Sequence, residues 1–175
     1  MTTTRDTYRS KVYAAENAAF QESFGIKVPE GASAKAKWNA VTKSWPNALG
    51  GQRIETVPEI QAYVDKLTNS AWFKRRWPNT SYRGIVVKDG RRARRASGGF
   101  GCISFPRWSR VEWVILHELA HCLAGQRGGW HGQPFCKVYI ELVTHQLGKE
   151  SGDALKRELR ARRVPLRERK KRIVA

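Results

Sequence analysis

The feature that most constrains this chain is the segment His117-Glu118-Leu119-Ala120-His121, an HExxH sequence inside a strongly apolar stretch. The stretch predicts a buried helix, on which residues four apart lie about 40° apart around the axis. Both imidazoles then face the same way, at a spacing that suits two nitrogen ligands of one zinc ion. Glu118 would lie beside the metal without binding it, where a carboxylate acts as the general base for a metal-activated water.

A catalytic zinc site commonly has three protein ligands, and two residues compete for the third position. The longer pattern HExxHxxGxxH fails, because Ala124 and Arg127 stand where glycine and histidine are required. His131 follows a glycine-rich loop, whereas Glu141 lies on the next predicted helix and falls largely outside its inward face. That face comprises Phe135, Val138, Tyr139, Leu142 and Val143. His131 is therefore the favoured third ligand, and Glu141 is the alternative.

Apolar periodicity predicts four further helices. They cover residues 7–24, the segment from Pro58 to just before Trp77, residues 134–147 and residues 151–163. Ser109 and Glu112 have the S-x-x-E spacing of a capping box, which predicts where the HExxH helix begins. Gly125 or the following Gly128-Gly129 pair is expected to end it.

Strand signals concentrate between residues 82 and 105. The turn dipeptide Asp89-Gly90 predicts a hairpin between residues 82–88 and 91–97, and residues 100–105 predict another strand. We therefore expect an α+β fold, in which a small, mostly antiparallel sheet packs on the HExxH helix with helices on both sides. The whole chain, 1–175, is expected to form one domain. Its parts are a mainly helical 1–80, a metal-binding core over 81–150 and a basic C-terminal helix and tail over 151–175.

The charge balance points to polyanionic partners. The chain has 33 Lys and Arg residues against 15 Asp and Glu residues, a formal net charge of +18. Such an excess favours DNA binding through phosphate contacts, although a solvated basic surface explains it equally well. Trp72 and Trp77 flank one basic cluster and could stack nucleobases or simply pack. The basic residues singled out are Lys74, Arg75, Arg76, Arg91, Arg92, Lys170, Lys171 and Arg172.

Several other classes of protein are disfavoured. The three cysteines, Cys102, Cys122 and Cys136, form no CxxC pair, so neither a zinc ribbon nor a disulfide framework is expected. No apolar run approaches the roughly 20 residues that span a bilayer, and the N-terminus lacks a signal peptide's apolar core. We expect a cytoplasmic protein without a membrane partner, located in the host cytoplasm if the gene belongs to a phage.

The HExxH segment, followed by His131-Gly132 and Phe135, resembles the SprT-like metalloprotease domain over about residues 98–148. The resemblance implies a zincin-like fold with His131 as the third zinc ligand and Phe135 packing the next helix. Ile103-Ser104-Phe105-Pro106, ahead of Arg110, is more similar to small metallohydrolases of actinobacteria and their phages. The resemblance also implies that residues 99–105 form an edge strand that pairs with extended substrate, the alternative being a core strand.

The expected function is zinc-dependent hydrolysis, most plausibly of peptide bonds in a protein or peptide substrate. His117, His121 and His131 would bind Zn²⁺, and Glu118 would be the general base. Tyr139 and His145 are weak candidates for stabilising an oxyanion. The alternative is a basic nucleic-acid-binding protein in which the zinc site is structural or vestigial.

Overall fold

The computed structural model describes residues 6–23, 53–78, 84–125 and 129–166. In these ranges the chain is α+β, with six α-helices, three strands and a 3₁₀ turn at Arg107–Ser109. The helices are α1 (Arg9–Ser23), α2 (Val57–Asn69), α3 (Ala71–Arg76), α4 (Glu112–Ala124), α5 (Gln133–Leu147) and α6 (Lys149–Ala161). The strands are β1 (Val86–Asp89), β2 (Ser97–Gly99) and β3 (Cys102–Phe105).

The helices lie close to their predicted positions, except that one predicted helix is divided into two. The segment after Pro58 forms two helices, α2 and α3, because Ser70 interrupts it in an extended conformation (φ −63°, ψ 149°). The Ser70 hydroxyl accepts a hydrogen bond from the amide of Phe73 at 3.1 Å and so caps α3. Gly125 and Gly148 end α4 and α5, as expected from their conformational freedom.

The predicted capping box at Ser109 and Glu112 is wrong. Helix α4 begins after Val111, which makes no side-chain capping bond. Ser109 lies in the 3₁₀ turn and donates to the Pro106 carbonyl at 2.9 Å, while Glu112 accepts from the Tyr63 hydroxyl at 2.6 Å. Ser109 is thus engaged within the preceding turn, and Glu112 in a tertiary contact that local spacing does not reveal.

The start of α2 carries the capping box that the sequence analysis did not anticipate. The Thr56 hydroxyl accepts from the Glu59 amide at 3.3 Å, and the Glu59 carboxylate accepts from the Thr56 amide at 3.0 Å. Two amide groups that the first turn would leave unpaired are satisfied in this way.

The sheet is mixed, so the expectation of a mostly antiparallel sheet is wrong. Its order is β1-β3-β2, with β1 parallel to β3 and β2 antiparallel to β3. The predicted hairpin at Asp89-Gly90 does not form, because β1 pairs with β3 and not with the segment that follows the turn. Residues 91–95 are all exposed and connect β1 to β2, on the far side of β3. Five positions with four arginines cannot be buried against a core, which leaves them as a surface connection.

The hairpin of this sheet lies instead at Phe100-Gly101. These two residues join β2 to β3 with φ of +49° and +75°, the pair of positive values typical of a type I′ turn. Strand β3 has a partner on each side, so the expectation that residues 99–105 form a substrate-pairing edge strand is wrong for β3. In the order β1-β3-β2, the edge strands of the sheet are β1 and β2.

Helix α4 occupies the middle of the fold. Its apolar residues are almost fully buried, including Trp113, Ile115, Leu116 and Leu119. Strand β2 packs on one side of α4 and α5 on another, while α6 packs on both α1 and α5. No helix in the described ranges combines the length and apolar character needed to cross a lipid bilayer.

Candidate metal centre

Three histidines converge in the interior. His117 and His121 come from α4, and His131 comes from the turn that precedes α5. Each offers one ring nitrogen, all three nitrogens lie within 4.8 Å of one another, and all three side chains are buried. The Nε2 atoms of His117 and His131 are 3.3 Å apart. The two residues of the HExxH pair and the favoured third ligand are therefore brought together.

The alternative third ligand lies elsewhere. Glu141 accepts two hydrogen bonds from the Arg76 guanidinium, at 2.6 and 2.8 Å. This bidentate ion pair joins α5 to α3 and leaves the carboxylate outside the histidine group. The helical-face argument anticipated this separation, because Glu141 and the buried residues of α5 lie on different faces.

A tight turn places His131. The amide of Gly132 donates to the carbonyl of Gly129 at 3.2 Å, and Gly129 has a φ of +88° that favours glycine. Pro134 follows within the first turn of α5, where a missing amide proton is harmless. The turn thus brings the His131 ring next to His117 and His121.

Two carboxylates from the N-terminal part hold the ligand rings. The Nδ1 atom of His131 lies 2.6 Å from Asp6 Oδ2, and the Nδ1 atom of His117 lies 3.2 Å from Glu16 Oε2. Glu16 also accepts from the Tyr139 hydroxyl at 2.6 Å. A carboxylate on the outer nitrogen is the usual support of a metal-binding histidine, because it sets the tautomer and the ring orientation.

Asp6 and Glu16 were missed in the sequence analysis. A signal existed for Glu16, which lies four residues after Val12 and three before Ala19, on the buried stripe of α1. A carboxylate on an apolar face needs a partner in the interior. No comparable signal marks Asp6, which precedes the helix.

The arrangement fits a divalent metal. The Nε2 atoms of His117 and His131 lie 3.3 Å apart, within reach of an N–H···N hydrogen bond or of one shared metal ion. In a metal-bound form both rings would carry their proton on Nδ1, which would leave both Nε2 lone pairs to the metal. Nitrogens bound to zinc at about 2.0–2.1 Å in tetrahedral geometry are separated by about 3.3–3.4 Å, which matches the observed spacing.

The electrostatic surroundings differ among the three histidines, which lie beside buried carboxylates. Burial, with His117 and His131 nearby, lowers the pKa of His121 to about 2, so its ring is neutral. Burial disfavours the charged form of His117, but the Glu16 carboxylate outweighs it and raises the pKa of His117. Burial likewise raises the pKa of Glu118 to about 7, with His117 opposing and Glu16 adding to the shift. A divalent cation would offset this concentration of carboxylates.

Strand β2 approaches Glu118 directly. The amide of Gly98 donates to the Glu118 carboxylate and lowers its pKa. A Cβ atom at Gly98 would lie 2.1 Å from the Glu118 carbonyl oxygen, so only glycine fits where the strand meets α4. This close packing fixes the position of Glu118 beside the histidines.

Aromatic rings line the rest of the centre. Phe135 is fully buried and contacts all three histidines, with its ring centroid 4.3 Å from that of His121. Trp130 lies 5.7 Å from His121 between ring centroids and adjoins Gly99. Phe135 thus presents an apolar ring to all three imidazoles, and Trp130 adjoins the edge strand β2.

Comparison with known proteins gives no identification. No family model, no curated protein and no solved structure matches this chain. What the centre can do follows from its own residues, namely three buried ring nitrogens with an adjacent buried carboxylate. Three neutral imidazoles are a ligand set suited to zinc and to several other first-row transition metals.

The remaining residues singled out from the sequence lie apart from the histidine group. His145 stacks on Trp72 with 3.7 Å between ring centroids, and Trp72 in turn packs on Trp77. Cys122 and Cys136 are buried, form no disulfide among the described residues, and lie outside the group. Lys74, Arg75, Arg91 and Arg92 are exposed, whereas Lys170, Lys171 and Arg172 lie outside the described residues.

Proposed function

We propose that the protein is a zinc-dependent metallohydrolase whose preferred substrates are peptide bonds. The observation that carries the proposal is the convergence of His117, His121 and His131 with Glu118 beside them. The proposed relation to the SprT-like domain agrees with this ligand set. When bound, zinc would polarise the scissile carbonyl and lower the pKa of water.

The protein's own residues then account for the remaining requirements. Glu118 accepts the proton of the attacking water and passes it to the leaving amine. Asp6 and Glu16 keep the ligand rings in one tautomer, and Phe135 keeps bulk water away from the ligands. The Gly98 amide holds Glu118 in place.

The test combines metal content with hydrolysis. Zinc is measured in purified protein and in His117→Ala, His121→Ala and His131→Ala variants, with Glu141→Ala as the matched control. We expect one zinc per chain in the parent and the control and its loss from each histidine variant. Zinc loss in Glu141→Ala, with retention in His131→Ala, would contradict the three-histidine assignment.

The second half of the test separates binding from chemistry. Glu118→Gln is nearly isosteric with the parent, so it should keep zinc and lose hydrolysis of a quenched-fluorescent peptide library. Full activity of Glu118→Gln would remove Glu118 as the base. A zinc-loaded parent that cleaves no member of the library and no denatured protein would overturn the peptidase proposal.

A specific observation also favours nucleic-acid binding as a second function. Arg92, Arg94 and Arg95 are exposed on the connection that leads into β2, and no ion pair engages them among the described residues. Arginines in such a position can contact phosphates and release counterions from the DNA, which drives binding and makes it steeply salt-dependent. The proposed partner is DNA, bound next to the histidine centre.

This second proposal is tested with a fluorescein-labelled duplex at increasing salt. Replacing Arg92, Arg94 and Arg95 by serine should weaken binding and flatten the salt dependence. The control replaces the exposed Lys11, Lys66 and Lys137 by serine, an equal loss of charge elsewhere. Equal effects of the two triple variants would leave only net charge as the cause and would reject the local site.

A further inference from the structure

Tyr13 is the partly exposed residue that borders the histidine centre from α1. Its ring centroid lies 5.6 Å from that of His117 and 5.2 Å from that of His131. The side chain is 38% exposed, whereas the three histidines, Phe135 and Tyr139 are buried. Tyr13 therefore reaches both the centre and the solvent from which a substrate would approach.

Arg9 borders Tyr13 on the same helix. Its guanidinium lies over the Tyr13 ring, 5.6 Å from the ring centroid. Within the described residues, no carboxylate or carbonyl accepts a hydrogen bond from the Tyr13 hydroxyl. The hydroxyl proton is therefore available to a bound molecule.

The other candidates for an oxyanion donor are excluded by their positions. Tyr139 is fully buried, and its hydroxyl donates to Glu16. His145 stacks on Trp72 and is not in the histidine group. Tyr13 combines a hydroxyl donor with a partly exposed ring that lies beside two of the histidines.

We propose that Tyr13 is a catalytic residue that donates a hydrogen bond to the scissile carbonyl oxygen as negative charge develops on it. This inference rests on the proposed hydrolytic function. A tyrosine hydroxyl is protonated at neutral pH, so it can act as a neutral donor. A preorganised donor of this kind strengthens as charge forms, and it therefore acts on the transition state more than on the bound substrate.

The test uses Tyr13→Phe in the full chain, which removes only the hydroxyl from a partly exposed ring. The matched control is Tyr8→Phe, the same chemical change on a residue that packs against the hydrophobic core. Zinc content and thermal midpoint should match the parent in both variants. For Tyr13→Phe we expect kcat to fall about 100- to 1,000-fold with KM within about two-fold of the parent.

A second readout does not depend on turnover. Binding of N-phosphoryl-Leu-Trp, a tetrahedral oxyanion probe, is measured by calorimetry on the zinc-loaded parent and on both variants. Tyr13→Phe should bind the probe about 100-fold more weakly, whereas Tyr8→Phe should bind it like the parent. Equal affinity of parent and Tyr13→Phe, including absence of binding to either, overturns the inference.

The two readouts keep this inference apart from the proposed function. A parent that cleaves peptides, with kcat and probe affinity unchanged in Tyr13→Phe, rejects the role of Tyr13 and retains the hydrolase. A parent that cleaves nothing but binds the probe through Tyr13 rejects the hydrolase and retains the oxyanion-binding role. A loss of zinc from Tyr13→Phe alone would show a structural role and also overturns the inference.

Discussion

The carboxylate of Asp6 lies 2.6 Å from Nδ1 of His131, across a sequence separation of 125 residues. Glu16 makes the corresponding contact to His117 at 3.2 Å. The N-terminal part of the described chain therefore meets α4 and the turn before α5 at one group of imidazoles. The arrangement makes the N-terminal helix part of the candidate metal centre, and it yields a direct prediction.

Removing either carboxylate should weaken metal binding without removing a ligand. We expect Asp6→Asn and Glu16→Gln each to raise the zinc dissociation constant about 10- to 100-fold, because an amide supports the ligand rings less well. Competition with a chromogenic chelator measures the constant. Glu22→Gln is the control, since Glu22 lies on the same helix but is exposed and pairs with Arg157. Affinities equal to the control in both variants would contradict the supporting role.

Gly152 should resist a substitution that usually stabilises helices. Alanine in place of a helical glycine is normally favourable by about 0.5–1 kcal/mol. Here a Cβ atom would lie 1.9 Å from Thr144 Oγ1 and 3.0 Å from Thr144 Cα, where α6 packs on α5. We expect Gly152→Ala to lower the free energy of unfolding by about 1–3 kcal/mol in urea titration. Asp153→Ala, on the exposed side of α6, is the control, and a stabilised Gly152→Ala would contradict the packing.

At the tip of the β2–β3 hairpin, by contrast, a substitution is expected to stabilise the protein. Phe100 is 86% exposed and has a φ of +49°, a conformation that disfavours most side chains but that asparagine tolerates. Phe100→Asn should therefore raise the free energy of unfolding by about 0.5–1 kcal/mol. Phe100→Leu keeps the unfavourable conformation and should give no gain. A loss of stability in the asparagine variant would indicate that the aromatic ring packs in solution.

The start of α2 should depend on the Thr56 hydroxyl. Thr56→Ala removes the acceptor for the first-turn amide, and we expect a loss of about 1 kcal/mol. Thr56→Ser keeps the oxygen and should behave like the parent. Chemical denaturation followed by circular dichroism measures both, and equal stability of the alanine variant would argue against the cap.

The predictable part of the site was its local part. His117, Glu118 and His121 follow from spacing on one helix, and His131 was favoured because Glu141 falls outside the inward face of the next helix. Such inferences need only the helical repeat. Asp6 has no local signal, because its role depends on how α1 docks against distant residues.

The strand pairing of the sheet also could not be predicted from local sequence alone. Asp89-Gly90 has the composition of a hairpin turn, yet β1 pairs in parallel with β3 and the hairpin lies at Phe100-Gly101. Turn composition reports only the local preference of the backbone. The pairing of β1 is decided by contacts with β3 and by Gln61, whose amide group binds both Ile85 and Val87. Tertiary contacts of this kind override turn propensity.

The contact between α1 and the turn that carries His131 also determines when a metal could bind during folding. Supports from residues 6–16 and ligands from residues 117–131 coincide only after long loops have closed, which is a slow kind of contact to form. In the proposed zinc-bound form, the ion would be captured late, by the folded chain rather than by its nascent parts. It would then add its binding free energy to the native state alone. A chelator would accordingly lower the free energy of unfolding, and a chain lacking α1 would bind the metal more weakly despite an intact HExxH segment.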